Sequence, residues 1–309
     1  MGAYDNYRIV IGGLGFVGSH LVERLVNNKY DIVLFDNKSS GAYENIKDFY
    51  SGDVLDPKKL SWYPRIPVVF NLGIPSSYRM FNANKHLYAD TIRDFVDVLE
   101  YCKHWDSKLI YTSTASLYYG NSIPFKENMN IYQKDLYSEC YYNMERLASL
   151  YYSLYGVKSI GLRLFNVYGK RESCKRDNAS IICQMITSVG EGNLPVIYGD
   201  GTQTRDFVYI DDVIDALMSA MNKDNINCDI YNIGSGTTYS FNEIIEILEE
   251  ILDIKVESVY KKSPIDNYVE HSLADITKAK KFLNYKPKVS IEKGAKAVVE
   301  EYLYKGLFK

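Results

Sequence analysis

The sequence predicts an α/β protein in which a doubly wound parallel sheet is followed by a smaller mixed α/β part. Two observations predict this class. Short apolar runs alternate with stretches of helical spacing through the first half of the chain, and the alternation becomes less regular after about residue 170. Strands that alternate with helices form parallel sheets, because each crossover helix covers one face of the sheet.

The apolar runs define the expected strands in order, and the amphipathic stretches define the expected helices. Strands are predicted at 8–11, 31–35, 67–71, 109–113 and 159–164, and helices at 19–26, 84–104, 137–155 and 241–252. We expect a nucleotide-binding domain over 1–170 and a substrate-binding domain over 171–309. The boundary is soft, and segments can interleave across it.

Composition excludes several classes of partner. The chain has 309 residues, of which 46% are hydrophobic, and its 36 basic and 39 acidic side chains leave a net charge of −3. This balance does not create the positive field that holds nucleic acid or an anionic membrane surface. No apolar run approaches the roughly 18 residues that span a bilayer. We therefore expect no nucleic acid partner and no membrane association.

Cysteine and histidine usage indicates the compartment. The five cysteines are an odd number, are widely spread and form no CxxC motif, and the four histidines show no zinc spacing. The start of the chain, MGAYDNYRIVIGG, does not have the layout of a cleavable signal. We expect a cytoplasmic protein with reduced thiols and no metal site.

Three glycines form the first functional motif. Gly12, Gly15 and Gly18 lie between a predicted strand and a predicted helix. Such glycines allow a tight turn and bring a pyrophosphate close to the free N–H groups at the start of the helix. Asp36 ends the second strand, where a carboxylate binds the adenosine ribose and repels a 2′-phosphate. Asp53 lies where an adenine amino group is expected. Together these residues predict a Rossmann domain that binds NAD rather than NADP.

Longer segments resemble those of one family. The segments 12–20 (GGLGFVGSH) and 36–41 (DNKSSG) resemble its cofactor loop and ribose turn, and 162–169 (LRLFNVYG), 199–213 (GDGTQTRDFVYIDDV) and 273–287 (LADITKAKKFLNYKP) resemble its substrate-binding and closing segments. By these motifs the chain is identified as a member of the extended short-chain dehydrogenase/reductases, the NAD-dependent nucleotide-sugar epimerases and dehydratases. It resembles UDP-glucose 4-epimerases along nearly its whole length.

The resemblance implies an enzyme that transfers a hydride from C4 of a nucleotide-diphosphate sugar to tightly bound NAD. In the family a tyrosine accepts the hydroxyl proton, a Ser or Thr orients that hydroxyl, and a lysine four residues after the tyrosine lowers its pKa. By position, Thr114 is the orienting hydroxyl and Tyr137 is the base. Position 141 is a tyrosine, so the lysine is missing. Lys134, three residues before Tyr137, is a candidate replacement.

The missing lysine has a measurable consequence. An unperturbed tyrosine has a pKa of about 10, so only about one in a thousand is ionised near neutral pH. Slow turnover is therefore expected. A protein of the same fold that binds NAD and a nucleotide sugar with little or no turnover remains the alternative.

The resemblance also implies the binding residues. Those expected to contact NAD are Gly12, Gly15, Phe16, Val17, Asp36, Asn37, Ser39, Ser40, Asp53, Val54, Leu72, Gly73, Tyr137 and Leu164. Those expected to contact the substrate are Thr114, Asn166, Tyr198, Arg205 and Asp266. A second arginine that grips the diphosphate in the family is absent, since Ser263 takes its place, and Lys261 and Lys262 are candidate substitutes.

The residues after Thr114 bear on the reaction. The 4,6-dehydratases of the family carry an Asp-Glu pair there, and its 3,5-epimerases a cysteine, whereas this chain has Ala115 and Ser116. Dehydration is thus disfavoured, although a 4,6-dehydratase stays an alternative. What remains is a 4-epimerase or a 4-dehydrogenase.

The resemblance implies a homodimer as well. The helical stretches 84–104 and 137–155 resemble the pair that forms a four-helix interface in the family. The apolar seam expected on them consists of Leu87, Ile92, Val96, Leu99, Met144, Leu147 and Leu150.

Overall fold

A seven-stranded parallel sheet forms the centre of the computed structural model, which describes residues 4–39, 41–132, 134–262, 270–306 and 308. The strands of the protein are β1 (Tyr7–Ile11), β2 (Asp31–Phe35), β3 (Val54–Leu55), β4 (Val68–Asn71), β5 (Lys108–Thr114), β6 (Ser159–Leu164), β7 (Asn166–Tyr168), β8 (Val196–Tyr198), β9 (Thr204–Tyr209), β10 (Cys228–Ile233), β11 (Thr238–Ser240) and β12 (Val259–Lys261). The sheet order is β10-β6-β5-β4-β1-β2-β3. This is a doubly wound Rossmann sheet, so the predicted fold class is confirmed.

Strand order changes direction between β1 and β4. β1 pairs in parallel with β2 on one side and with β4 on the other, so successive strands are added outward in both directions. In sheets of this kind ligands bind at the carboxyl ends of the strands beside this reversal. The topology alone therefore selects one edge of the sheet for the site.

The last strand of the sheet comes from the second half of the chain. β10 pairs in parallel with β6, with Cys228 opposite Ser159 and Ile233 opposite Leu164. The apolar pattern did not predict β10, because the strand contains polar residues. Among them Asn232 is fully buried, and its amide donates a hydrogen bond to the Phe125 carbonyl at 2.9 Å. β3 was missed because it has only two residues.

Helices cover both faces of the sheet. They are α1 (Phe16–Asn27), α2 (Tyr78–Ala83), α3 (Leu87–Trp105), α4 (Leu136–Tyr155), α5 (Ile181–Gly190), α6 (Ile210–Met221), α7 (Phe241–Leu252), α8 (Thr277–Leu283) and α9 (Ile291–Tyr304). Because side chains alternate along a strand, β1 contributes to two cores. Val10 belongs to the core that includes α1 and α6, whereas Ile9 and Ile11 belong to the core that includes α3 and α4.

Both ends of α4 have defined caps. The Asp135 carboxylate accepts a hydrogen bond from the Ser138 N–H at 2.8 Å, and the Ser138 hydroxyl accepts one from the Asp135 N–H at 3.3 Å. This reciprocal pair is a capping box. The helix ends at Gly156, whose φ of 74° lies in the left-handed region that favours glycine. The caps set where along the helix Tyr137 and Tyr141 lie.

The seam predicted on α3 and α4 is partly wrong. Leu99 and Met144 are fully buried in the core that these helices form with the sheet. Helical spacing alone does not distinguish a face toward the sheet from a face toward a partner. The remaining seam residues are accessible to different degrees: Leu87, Ile92, Val96 and Leu147 are half-buried and Leu150 is exposed.

Asp206 connects the second part of the chain to the sheet. Its buried carboxylate accepts hydrogen bonds from the N–H groups of Ser235 at 2.6 Å, Gly236 at 3.0 Å and Ala274 at 3.0 Å. Asp206 lies on β9, whereas Ser235 and Gly236 follow β10 directly. Burial raises the pKa of Asp206, and the hydrogen bonds oppose that rise.

The described residues contain neither a membrane-spanning helix nor a metal-binding cluster. None of their helices is both long and apolar enough to cross a bilayer. They contain no group of three His, Cys, Asp or Glu side chains placed to hold a metal ion. All five cysteines are free thiols.

Candidate active site

The predicted site residues collect at the carboxyl ends of the parallel strands. These ends are marked by Gly12 after β1, Asp36 after β2, Leu72 and Gly73 after β4, Thr114 at the end of β5 and Leu164 at the end of β6. Because parallel strands end at the same edge of a sheet, residues far apart in sequence become neighbours there.

The glycine loop allows backbone segments to approach closely. Gly12 has a φ of 81°, and a Cβ atom there would overlap the backbone of Gly73. A Cβ atom on Gly18 would overlap the carbonyl oxygen of Gly12. Gly15 differs, because its φ is −71° and a Cβ atom there would meet only the Gly12 oxygen, at 3.5 Å. The fold by itself therefore does not require glycine at position 15, which leaves close approach of a ligand as the reason for it.

The start of α1 suits an anionic ligand. Gly15 precedes the helix without a side-chain cap, and the first turn contains no acidic residue. The first N–H groups of a helix have no partner within the helix, and the helix dipole makes this end positive. A pyrophosphate placed over Phe16 and Val17 would meet both features.

Asp36 is held in one orientation beside this loop. Its carboxylate accepts hydrogen bonds from the Leu14 N–H at 3.0 Å and the Lys38 N–H at 2.6 Å. The next residues continue the turn, since Asn37 Oδ1 accepts from the Ser39 N–H at 3.0 Å. A carboxylate fixed in this way is suited to accept the hydroxyl groups of a ribose.

Of five other predicted residues, the structure describes three. Val54 pairs with Leu34 across β2 and β3, and the exposed Asp53 precedes it. Tyr198 lies on β8, where it pairs with Lys261 of β12. Ser40 and Asp266 lie outside the described residues.

A cavity of about 470 Å³ opens beside the ends of β5 and β6. The predicted residues that line it are Phe16, Val17, Leu72, Thr114, Tyr137, Leu164, Asn166 and Arg205. The cavity thus joins the end of the glycine loop, the predicted catalytic pair and the predicted substrate residues in one space.

Thr114 and Tyr137 form the predicted pair. The Tyr137 hydroxyl donates a hydrogen bond to Thr114 Oγ1 at 3.1 Å. Burial raises the pKa of Tyr137, and the Asp135 carboxylate adds to the rise, while hydrogen bonds with Thr114, Ser116 and Tyr141 act to lower it. The pair has the geometry of a proton acceptor and an orienting hydroxyl, with a base that ionises at alkaline pH.

Tyr141 occupies the position of the missing lysine. It is 4% exposed, and its hydroxyl points to the Pro75 carbonyl oxygen at 3.4 Å. The ammonium of Lys134, the candidate replacement, lies over the Tyr119 ring, 4.0 Å from the centroid. Burial and the Asp135 carboxylate act in opposite directions on the Lys134 pKa, and the net direction is down.

Arg205 is the predicted substrate-binding cation, and it lines the same cavity. It is 8% exposed, and its guanidinium donates to the carbonyl oxygens of Thr204 at 2.9 Å and Glu270 at 3.1 Å. Asn166 lies nearby, with its amide nitrogen donating to the Asp206 carbonyl at 3.1 Å. Hydrogen bonds to backbone carbonyl groups thus fix the orientation of both side chains.

Comparison with known proteins settles the family. The family described as NAD dependent epimerase/dehydratase matches residues 8–234. The chain belongs to this family. The resemblance inferred from the motifs is thus confirmed, and NAD is the cofactor.

Members of the epimerase/dehydratase family with different reactions are similar to this chain. The UDP-glucose 4-epimerase of Thermotoga maritima, solved with UDP-glucose, is 31% identical with a TM-score of 0.89 over 97% of this chain and 99% of that one. The UDP-glucuronic acid 4-epimerase of Bacillus cereus, solved with UDP-glucuronic acid and NAD, is 30% identical with a TM-score of 0.86 over the same shares. UDP-glucuronic acid decarboxylase 1 of Arabidopsis thaliana is 28% identical over 95% of this chain and 69% of its own length.

The residues present fit NAD. The missing side chain of Gly15 leaves space for a ligand that the packing of the fold does not require. The start of α1, which has no side-chain cap, lies at this space, and the Asp36 carboxylate is held beside the same loop. The first turn of α1 would hold the pyrophosphate and Asp36 the adenosine ribose. When bound, NAD supplies the acceptor for a hydride.

Several cavity residues were not predicted from the sequence. Ser116 lies two positions after Thr114, and its position in the same motif was a usable signal. Lys175 had no such signal. Its ammonium lies 3.2 Å from Glu172 and 5.5 Å from the centroid of the Phe16 ring. The segment 172–178 that carries Lys175 folds as a short 3₁₀ helix, and its sequence has no regular spacing of apolar residues that would predict it.

Proposed function

We propose that this epimerase/dehydratase family member is an NAD-dependent oxidoreductase that acts at C4 of a nucleotide-diphosphate sugar and works as a 4-epimerase. The observation that carries the proposal is the 3.1 Å hydrogen bond between Tyr137 and Thr114, in a cavity that Arg205 also lines. The UDP-sugars bound by the two similar epimerases support this class of substrate.

Four residues of the cavity have proposed tasks. Thr114 orients the C4 hydroxyl of the sugar, and Tyr137 Oη accepts the proton of that hydroxyl. Both oxygens already lie within one hydrogen bond of each other, so a substrate hydroxyl can reach both. Arg205 binds the diphosphate, because a guanidinium matches two phosphate oxygens at once. Asn166 is placed to bind beside it.

The acid–base inventory favours a 4-epimerase over a 4,6-dehydratase. A dehydratase must donate a proton to the departing hydroxyl group. The two residues that follow Thr114 and line the cavity are Ala115 and Ser116, and neither has an acidic side chain. A 4-dehydrogenase shares the first step and differs in releasing the 4-ketosugar.

The test is incubation of the purified protein with UDP-glucose, UDP-glucuronic acid and UDP-N-acetylglucosamine, followed by proton NMR of the anomeric region. Interconversion of the C4 epimers without net formation of NADH supports the proposal. Steady accumulation of NADH with a 4-ketosugar would identify a dehydrogenase. Binding of NAD and sugar nucleotide without turnover of any of them would overturn the proposal in favour of a binding protein.

Replacing Asp36 with Ala is expected to weaken NAD binding by about 10- to 100-fold, because hydrogen bonds to a charged group are lost. Discrimination against NADP should fall at the same time, since the charge that repels a 2′-phosphate is gone. Calorimetric titration with both cofactors measures both effects. Asp48→Ala, which removes an exposed carboxylate, is the control. Tighter binding of NADP than of NAD by the unmodified protein would contradict the assignment of Asp36.

We also propose a homodimer formed through the outer faces of α3 and α4. Leu150 and Leu154 are 49% and 60% exposed on α4, and the half-buried Leu147 lies beside them. Leu150→Glu combined with Leu154→Glu should therefore convert the dimer to a monomer, as sedimentation velocity at micromolar concentration would show. Trp62→Glu, at a residue that is 76% exposed outside these helices, is the matched control. A monomer in the unmodified protein would refute the proposal.

We also propose a division of binding between the two domains. The domain over 1–170 holds NAD and the domain over 171–309 holds the nucleotide sugar, while β10 of the second domain joins the seven-stranded sheet of the first. Ser40, Tyr198 and Asp266 contribute to binding as the family resemblance implies. A cytoplasmic location agrees with the free cysteines.

A further inference from the structure

Two tyrosines of α4 share one wall of the cavity. Tyr141 lies one helical turn after Tyr137, and their rings meet edge to face with centroids 5.0 Å apart and planes at 66°. Both side chains line the cavity. The Tyr141 ring is nearly fully buried, so its hydroxyl group has few possible partners.

The hydroxyl of Tyr141 has one weak backbone partner. Its distance to the Pro75 carbonyl is 3.4 Å, which is long for a hydrogen bond between oxygens. The Tyr137 side chain is its other close neighbour, one helical turn away with the ring centroids 5.0 Å apart. The interaction between the two hydroxyls acts to lower the pKa of Tyr137 and to raise that of Tyr141, as expected when Tyr141 is the donor. The Tyr141 hydroxyl thus has a weak bond to a carbonyl oxygen and the side chain of the proposed base beside it.

A phenolate is a much stronger acceptor than a carbonyl oxygen. When Tyr137 ionises, a neighbouring O–H that donates weakly to Pro75 gains by turning to the phenolate. We propose that Tyr141 is a positioning residue whose hydroxyl donates a hydrogen bond to ionised Tyr137, so that a neutral donor replaces the ammonium that the family places at this position. The role in catalysis rests on the function proposed above; the hydrogen bond itself does not.

Among the described residues, the main influences on the pKa of Tyr137 and Tyr141 include no cation. The Lys134 ammonium, three residues before Tyr137, lies over the Tyr119 ring. On α4 itself, Asp135 raises the pKa of Tyr137, and the Cys140 thiol and Tyr137 raise that of Tyr141. One turn beyond Tyr141, Glu145 is paired with Arg163 at 2.6 Å.

The other sides of the cavity contribute hydroxyl groups and two cations that have partners of their own. From the β5 side, the hydroxyls of Thr114 and Ser116 act on Tyr137 to lower its pKa. Lys175 and Arg205 line other parts of the cavity, where Lys175 is paired with Glu172 and Arg205 binds backbone carbonyls. The groups that oppose the effect of burial on the Tyr137 pKa are thus neutral hydroxyl donors.

The experiment reads the ionisation of Tyr137 directly. 3-Fluorotyrosine is incorporated at position 137 alone, and its ¹⁹F shift is followed against pH in the NAD-loaded protein. Removing one hydrogen bond to a charged oxygen, by Tyr141→Phe, is expected to raise the pKa at position 137 by about 1–2 units. Tyr141→Lys should lower the pKa. Phe keeps the buried ring, and equal melting temperatures would verify that the fold is retained.

Tyr151→Phe is the matched control. It removes a hydroxyl from the same helix, where that group donates to Glu100 at 2.8 Å, far from the cavity. The pKa at position 137 should not change in this variant. If Tyr141→Phe also leaves it unchanged, or lowers it, the proposal is overturned.

Turnover provides a second readout. With the best UDP-sugar, Tyr141→Phe should lower kcat about 10- to 100-fold at neutral pH, leave KM nearly unchanged, and recover at higher pH. The titration requires no turnover, so the two proposals fail separately. A raised pKa in a protein that converts no sugar would retain the hydrogen bond and reject the proposed function.

Discussion

Replacing Tyr137 with Phe should lower turnover about 10²- to 10⁴-fold, the usual contribution of a group that moves a proton in the transition state. NAD affinity should change little. The phenylalanine ring would keep its contacts with Phe81, at 5.8 Å between centroids, and with Tyr141. Only the oxygen that accepts the proton is lost. Single-turnover formation of NADH and a calorimetric NAD titration measure the two quantities.

The pH dependence provides a further check on Tyr137. Burial raises its pKa, and the phenolate is the active form, so the rate of the unmodified protein should climb as the pH rises above neutrality. Thr114→Ala should cost only about 10-fold, since it removes one neutral hydrogen bond and some orientation. Tyr152→Phe, at an exposed position of the same helix, is the control. An unchanged rate in Tyr137→Phe would show that another group is the base.

The largest expected effect on stability comes from the ion pair behind the site. Arg163 binds the Glu145 carboxylate with two hydrogen bonds of 2.9 and 2.6 Å, and both side chains are buried. Ser113 also donates to this carboxylate, at 2.6 Å. Arg163→Met would leave the Glu145 charge buried without a cation. The free energy of unfolding should therefore fall by about 3–5 kcal/mol, as measured by denaturant titration.

Arg24→Met is the control for this prediction. Arg24 pairs with Asp215 at the same distance of 2.6 Å, but both side chains are about one-third exposed to solvent. The loss there should be about 0–1 kcal/mol, because water screens the pair. Equal losses in the two variants would show that burial does not set the strength of the Arg163 pair. Activity should also fall in Arg163→Met, since Ser113 and Glu145 lie on β5 and α4, which carry Thr114 and Tyr137.

The fold was largely predictable from the chain because its main signals are local. The strand that leads into Gly12 and the apolar runs of β2, β4, β5 and β6 follow directly from residue spacing. β10 was not predictable in this way, because its buried Asn232 is stabilised by the distant Phe125 carbonyl. The apolar pattern of a strand gives no information about hydrogen-bond partners that come close only when the chain folds.

The site shows the same division between local and distant information. Thr114 and Tyr137 were found by position within motifs, and the structure places their oxygens 3.1 Å apart. Lys175 reaches the cavity from an irregular segment, so residue spacing does not mark it. The direction of the Tyr141 hydroxyl depends on Pro75, which belongs to another loop. The assignment of Leu99 and Met144 to an outer seam failed because both faces of a buried helix can be apolar.

The hydrogen bonds of Asp206 hold two sides of the cavity at a fixed distance from each other. This carboxylate ties β9, which carries Arg205, to the turn after β10 at the edge of the large sheet. Swinging the two walls apart would leave a buried carboxylate without three donors, which is costly. We therefore expect the separation between Arg205, the proposed diphosphate site, and Tyr137, the proposed base, to be set before any ligand binds. If the proposed roles hold, the cleft would select substrates by the length from the diphosphate to the reacting carbon, so we expect it to accept nucleotide sugars of this length whatever their other substituents.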